Sequence, residues 1–532
     1  MHTGNNIMEK PLKSEDDEGP RLEIQHVNGG VSAKLIQNEA ENKDPEVTAR
    51  GIIKYSYKAV FAQGLMAGAV FLLTAGCGMP IGFSAIMLPQ IQSANSSLPT
   101  SEETGSWIAS IHSAATPVGS ILSGPLMEHW GRRTVLRFCV LPFIAGWTCM
   151  ATAQGHVAIF AARILAGFAV GLSAAPSQVL LGEVAEPHIR GMIVGAPFVS
   201  YSLGILLVYA LGSVLAWRTV AAIATILPLS ALLALFFLPE SPHWLARVGR
   251  ESEALEALTW LRGGNVGQAR AELAAATKKK ERSWLLSWRD SPLLYRSVVK
   301  PLLVVNTFNV LQILSGTYTI IFYAVNVIEQ AENSEQDPGN PEERTKEFGA
   351  AVLTALVRTL VTALACGLLL LVGRRPLAML SGLGSATAVI LLGIWLYIAP
   401  TPSPAPWLPE AAVIAYVACN TFGFFVLPGL MLGEMLPARA RGPAGGVTFT
   451  VLNLTLFVTT KVYPQASHLL RPYGVFWFFG AATLLATVFV YLFVPETKGK
   501  SLAEIEDYFS GDSVLWMKRP RKNKMMTRDQ DV

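Results

Sequence analysis

The decapeptide Gly182–Gly191, GEVAEPHIRG, occurs in this chain a second time as Gly433–Gly442, GEMLPARARG. Each copy reads Gly-Glu, six residues, then Arg-Gly, with a proline in between (Pro187; Pro437). Upstream of each stands Gly-Arg-Arg (Gly131-Arg132-Arg133; Gly373-Arg374-Arg375). Downstream of each stands Pro-Glu-Ser or Pro-Glu-Thr (Pro239-Glu240-Ser241; Pro495-Glu496-Thr497). One such motif carries little weight. Two ordered triplets mark a tandem duplication, and the duplication decides the fold.

The composition says where the duplicated halves must reside. Of 532 residues, 51% are hydrophobic and only 15% charged, with a mean hydropathy of +0.40. A water-facing surface cannot absorb that excess, so the chain reads as an all-α integral membrane protein whose partner is the lipid bilayer. Segments with the ~20 apolar residues that a bilayer crossing needs fall near 59–88, 105–127, 134–153, 157–181, 192–213 and 219–238, then 298–328, 349–372, 377–398, 411–432, 444–464 and 473–494. Twelve transmembrane helices in two six-helix bundles are expected. The domain plan is a disordered tail over 1–57, bundles over 58–238 and 298–494, a linker with short amphipathic helices over 239–297, and a basic tail over 495–532.

Charge location supplies an orientation. Lys and Arg gather in the segments holding Arg132, Arg190, Arg247–Arg296, Arg374 and Lys518–Lys524, whereas Gln90–Ser106 and Pro400–Glu410 contain neither. By the positive-inside bias both termini are cytoplasmic. We expect the plasma membrane, with an intracellular membrane as the alternative. The sequon Asn95-Ser96-Ser97 then lies in an outer loop, where glycosylation is possible. The net charge of +4, once located, gives no reason to expect nucleic acid. Five isolated cysteines read as small core residues. No metal, no cofactor and no catalytic constellation is expected.

Glu183 and Glu434 close their spans at the inner end, where the helix dipole is already negative. A carboxylate there is disfavoured by roughly 0.3–1 kcal/mol unless a cation compensates. Arg132, Arg133, Arg190 and Glu240 lie at the same membrane level in the first half, and Arg374, Arg375, Arg441 and Glu496 in the second. A lone copy would read as ordinary positive-inside charge. Two copies in register read as a cytoplasmic gate of interhelical ion pairs.

The set GRR, GE-x6-RG, PESPHWL (Pro239–Leu245) and VPETKGKSL (Val494–Leu502) resembles the facilitative sugar-transporter branch of the major facilitator superfamily, including its insect trehalose-transporter-like group. The likeness covers about residues 55–510. It implies two bundles related by a pseudo-twofold axis, a central site and alternating access. In the seventh span the family typically reads Gln-Gln-Leu-Ser-Gly-x-Asn, with the amides bonding sugar hydroxyls. This chain reads Gln312-Ile313-Leu314-Ser315-Gly316-Thr317-Tyr318. The fifth-span glutamine position is Phe198, the tenth-span tryptophan position is Gly429, and the eleventh-span Asn-Trp pair falls at Leu452-Asn453, or at Asn453-Leu454 with the register one residue on. The resemblance thus points to Gln312, Ser315, Tyr318, Phe198 and Asn453 as substrate-binding positions in a pocket more apolar than a hexose site. An acid usual before the second Gly-Arg-Arg is Leu370, while Glu128 stands in the first copy, so the second half's inner ring should be the weaker.

Within the spans, ionisable groups are few. No Asp or Glu falls in a predicted hydrocarbon segment, which argues for uniport over proton coupling. Arg163 and Arg358 lie deepest. Arg358 has no acid in reach along the sequence, so it either lines the substrate path or bonds backbone carbonyls. The expected function is facilitative carriage of a small solute, a sugar or polyol. The alternatives are a non-sugar or anionic cargo in the same fold, and a non-transporting sensor.

Overall fold

The computed structural model describes residues 22–27, 30–35, 57–93, 98–186, 189–283, 296–323, 341–398, 405, 407–436, 441–498, 500 and 502–510. Asn95 and the basic residues beyond 510 lie outside them, as do the side chains of Arg190 and Arg441. Contacts divide the chain into two units, Met1–Ser56 and Tyr57–Val532.

In the first unit, β1 (Leu22–Val27) pairs antiparallel with β2 (Gly30–Leu35), Val27 opposite Gly30. The residues between the strands are Asn28-Gly29, the pair favoured in two-residue hairpin loops. Over these strands the structure departs from the unstructured tail expected for 1–57.

In the second unit the first six spans are α1 (Tyr57–Gln92), α2 (Glu102–Trp130), α3 (Arg132–Ala151), α4 (His156–Val184), α5 (Arg190–Gly212) and the pair α6–α7 (Trp217–Ala224, Ile226–Phe237). Linker helices α8 (Pro242–Arg247), α9 (Glu251–Leu261) and α10 (Val266–Ser283) follow. The second six are α11–α12 (Arg296–Leu314, Thr319–Phe322), α13 (Pro341–Leu371), α14 (Arg374–Ile398), the run α15 (Trp407–Asn420), π segment (Thr421–Phe425) and α16 (Leu427–Met435), and then α17 (Arg441–Phe493). Helix α17 supplies two spans because Arg471, at φ 58 and ψ 165, turns the chain in its middle. A short α18 (Leu502–Ser510) ends the described chain.

Among the described residues, nine helices are by length and composition able to cross a membrane. That figure counts α17 once. It omits α2, whose many Ser, Thr, Gly and Pro residues lower its hydropathy, and the seventh span, which is broken after Leu314. The twelve expected crossings are thus all accounted for. Large apolar side chains such as Leu233, Phe236, Leu360, Leu364 and Leu371 are exposed, as a lipid-facing surface requires.

Packing within the first bundle rests on small residues and one arginine. A Cβ on Gly167 would stand 2.1 Å from the His112 carbonyl oxygen, and one on Gly171 2.0 Å from that of Thr116. Glycine there lets α4 lie directly on the α2 backbone. Beside that contact Arg163 is buried and bonds Ile108 O at 3.0 Å, Ala109 O at 3.2 Å, Pro80 O and Ser84 Oγ. Every direction of its fork is used, so it ties α1, α2 and α4 together.

Candidate functional site

Two clusters matter, one at the expected inner face and one on the seam between the bundles. At the inner face the duplicated motifs close on one another. Arg132 Nε lies 3.1 Å from Glu183 Oε2 and its Nη2 3.2 Å from Glu183 Oε1, while Nη1 donates to Met127 O at 2.9 Å. In the second half Arg374 Nη2 lies 2.7 Å from Glu434 Oε1, and its Nη1 donates to Leu369 O at 3.1 Å. The hydroxyl of Ser241 reaches Glu183, and that of Thr497 reaches Glu434 at 2.5 Å.

The Pro-Glu motifs cap the helices that begin at the arginines. Glu240 accepts from Arg133 N at 2.9 Å and Thr134 N at 3.2 Å; Glu496 accepts from Arg374 N at 3.0 Å and Arg375 N at 3.2 Å. A carboxylate is favourable where a helix leaves its first amides unpaired. This seat also explains the leading glycine of the first Gly-Arg-Arg. Gly131 has φ +93, and a Cβ there would stand 2.6 Å from Glu240 Oε2. The side chains of Arg133 and Arg375 turn aside to the carbonyls of Leu238 and Tyr491.

The halves differ in their carboxylates. Arg132 also pairs with Glu128 at 3.0 Å and is 2% exposed; Arg374 pairs, among the described residues, with Glu434 and is 18% exposed. Glu128 further pairs with Arg247 of α8. In the second half Lys498 donates to Leu371 O, a bond to backbone that supplies no carboxylate to Arg374. Each of these ion pairs stays within one half. They build two separate clasps, rather than a single ring bridging the halves.

Hydrogen bonds that do cross the seam lie towards the expected outer face and the middle, with one more, Cys366 Sγ to Gly195 O at 3.6 Å, nearer the inner ends. Lys461 Nζ donates to Ser106 Oγ at 2.8 Å and stands 4.7 Å from the Trp107 ring; His468 lies 2.8 Å from Glu102. Deeper, Tyr209 donates to Ile321 O at 2.5 Å, and Ser202 meets Thr362 at 3.3 Å.

The seam cluster is built on two broken helices. Gly316, at φ +90, interrupts the seventh span between α11 and α12. The Ser315 and Thr317 hydroxyls fold back on Gln312 O at 2.6 and 3.1 Å. The tenth span completes the repair: Tyr416 donates to Ser315 O at 2.5 Å, and Asn420 Oδ1 accepts from Thr317 at 2.7 Å. Just past Asn420 the π segment Thr421–Phe425 swings Phe425 into the seam. Ser381 fills the loosened turn, bonding Cys419 O at 2.6 Å. Irregular backbone at this depth survives only because side chains satisfy it.

Around Phe425 two of the predicted residues, Tyr318 and Arg358, come together. Its ring centroid lies 6.0 Å from that of Tyr318 and 6.3 Å from that of Tyr201, and Arg358 Cζ lies 5.5 Å from it. Arg358 also has Tyr209 and Tyr416 as electrostatic neighbours. Gln312 is 1% exposed with neither amide atom bonded, and Arg358 is 3% exposed with Nη1 unpaired. Ser315 is spent on the helix break. Phe198 packs on Gly429, where a Cβ would lie 2.5 Å from the ring's Cζ. Asn453 bonds Phe449 O of its own helix at 2.8 Å, and no hydrogen bond joins its side chain to the others among the described residues. Sequence reading missed Tyr201, Tyr209, Tyr416, Asn420 and Phe425. The Ser315-Gly316 step inside an apolar span was the one local sign of a broken helix.

Twelve helices in two halves, with duplicated clasps at one face and a polar seam at mid-depth, define a solute carrier of the major facilitator fold. The sequence pattern described as "Sugar (and other) transporter" matches residues 66–509, and the chain belongs to that family. Among relatives, it is 31% identical over 460 residues to the facilitated trehalose transporter Tret1 of Culex quinquefasciatus, spanning 85% of this chain and 87% of that one. It is 29% identical to Tret1 of Apis mellifera ligustica over 92% of this chain and 96% of the other. Among solved structures, the partially occluded inward-open conformation of the xylose transporter XylE from E. coli superposes with a TM-score of 0.69. That match covers 83% of this chain and 100% of XylE, at 20% identity.

Proposed function

We propose that this protein is a uniporter that moves a small hydroxylated solute, a sugar or polyol, across the plasma membrane by alternating access, with both termini cytoplasmic. The carrying observation is Gln312: a buried amide just before the break in the seventh span, with no hydrogen-bond partner among the described residues, which a cargo hydroxyl would satisfy. Relatives named as facilitated trehalose transporters support the same class. Uniport is supported by the seam cluster itself, where the ionisable side chains described are tyrosines and one arginine, and no carboxylate is present to carry a proton.

In this reading the Glu183 and Glu434 clasps keep each half's inner ends rigid, and the crossing bonds at Ser106, Glu102 and Tyr209 hold the outer path shut. The cytoplasmic gate assigned to Arg132, Arg133, Glu183, Arg190, Glu240 and their second-half counterparts then closes when the rigid ends meet. Glycosylation of Asn95 belongs to the same proposed orientation.

The test is uptake of labelled sugars and polyols into proteoliposomes containing the full chain. Saturable flux with counterflow, and no alkalinisation of the medium, is the expected result. Ligand binding without flux would replace the carrier with a sensor; flux tied to proton uptake would remove uniport.

A further inference from the structure

The two deep arginines of this chain live under opposite conditions. Arg163 spends its guanidinium on three carbonyls and a hydroxyl. Arg358, equally buried, makes no side-chain hydrogen bond to any described residue, and its Nη1 is enclosed without a partner. A guanidinium stays charged at any physiological pH. At mid-membrane depth such a charge is costly unless it is paired.

The surroundings do not supply the pair. The Phe425 ring at 5.5 Å recovers part of the cost through its electron-rich face. The nearby hydroxyls of Tyr209 and Tyr416 already donate to Ile321 O and Ser315 O. Tyr201 and Tyr318 are partly exposed, and their hydroxyls make no hydrogen bond among the described residues. The bonded-to-backbone role left open by the sequence is the one Arg163 has and Arg358 lacks.

We infer that Arg358 is an anion-recognition residue, and that the cargo is a hydroxylated carboxylate of the sugar-acid class, its carboxylate on the Arg358 fork and its hydroxyls on Gln312, Tyr201 and Tyr318. A planar guanidinium matches a carboxylate through two parallel hydrogen bonds. The free amide and phenols offer the donors and acceptors that hydroxyls need. This inference rests on the carrier reading and changes its cargo from a neutral sugar or polyol to a hydroxylated anion. It also has an electrical consequence: uniport of a monoanion moves one negative charge per cycle, so flux must respond to membrane potential.

The experiment uses the full-length protein, wild type, Arg358→Gln and Arg358→Lys, with D-glucuronate and D-glucose as probes. Binding is read by thermal shift in detergent, and flux in proteoliposomes with a potassium–valinomycin potential. Glucuronate should raise the wild-type melting temperature more than glucose does, and an inside-positive potential should accelerate its uptake. Arg358→Gln should lower the glucuronate-to-glucose ratio by about tenfold or more, with Arg358→Lys between, as loss of a charge-assisted bidentate pair requires. Glucose flux that glucuronate neither shares nor inhibits would overturn the anion site while leaving the carrier intact. Glucuronate binding without any flux would do the reverse. An unchanged ratio in both variants, each matching wild type in elution and melting temperature, would also overturn it.

Discussion

Phe198 of the fifth span stands against Gly429 of the tenth, so closely that a Cβ on Gly429 would lie 2.5 Å from the Phe198 ring. These are the two positions where the family places a glutamine and a tryptophan. The aromatic bulk has changed sides of the seam. Gly429→Trp alone should therefore cost stability through overpacking, about 1–3 kcal/mol, and Phe198→Ala should relieve it. A double-mutant cycle on melting temperatures checks this; coupling below about 0.5 kcal/mol would mean the two positions are independent.

Arg374 lacks the second carboxylate that Arg132 finds in Glu128. Leu370→Glu places an acid four residues before Arg374, across the break between α13 and α14, in the same relation as Glu128 to Arg132. It should stabilise the second half by about 0.3–0.5 kcal/mol, the usual worth of such a pair. The effect should be larger in a Glu434→Gln background, where Arg374 has lost its partner. Loss of stability in both backgrounds would show that the clasps are not equivalent.

Gly131 holds a positive φ directly beneath the Glu240 carboxylate. Gly131→Ala combines a strained backbone, about 1–2 kcal/mol, with displacement of the carboxylate that caps α3. Hydrogen exchange should speed up in the first turn of α3 and in α8, which begins next to Glu240. Unchanged protection there would refute the coupling between the Gly-Arg-Arg and Pro-Glu-Ser motifs.

The buried arginines should respond to the same substitution in opposite directions. Arg163→Gln removes a hub bonded to α1 and α2 and should lower stability by about 3 kcal/mol or more, since hydrogen bonds to charged groups contribute roughly 1.5–3 kcal/mol each. Arg358→Gln, measured without ligand, should leave the melting temperature unchanged or raise it, because an unpaired charge is removed. A large loss at Arg358 would point to a structural role.

Lys461 joins the halves through Ser106 and the Trp107 face at the expected outer end. Lys461→Met should weaken outer closure by about 1 kcal/mol, the order of a partly buried cation–π contact. Thiol-reagent access to a cysteine placed at Phe457, which packs on Trp107, should rise several-fold. Equal labelling rates would remove Lys461 from the latch.

Much of this architecture could be read from the chain. Twelve apolar segments, two ordered motif triplets and the distribution of Lys and Arg are one-dimensional signals, because a bilayer forces each helix to satisfy its own backbone and to carry its own hydrophobicity. The unequal clasps were also visible, in Leu370 against Glu128, since an i,i+4 relation is local. The site was legible only as positions. Whether Arg163 or Arg358 was the structural arginine depended on carbonyls more than fifty residues away in α1 and α2, and no pattern around either residue contains them. That the motif ion pairs close within each half, that Tyr416 and Asn420 repair the break at Gly316, and that Phe198 occupies the space over Gly429 are all facts of packing between distant segments. The sequence by itself determined the membrane class, the duplication and the family. Tertiary structure alone decided which buried polar groups were satisfied and which were left without a partner among the described residues, because satisfaction is a property of partners and the partners come from other helices.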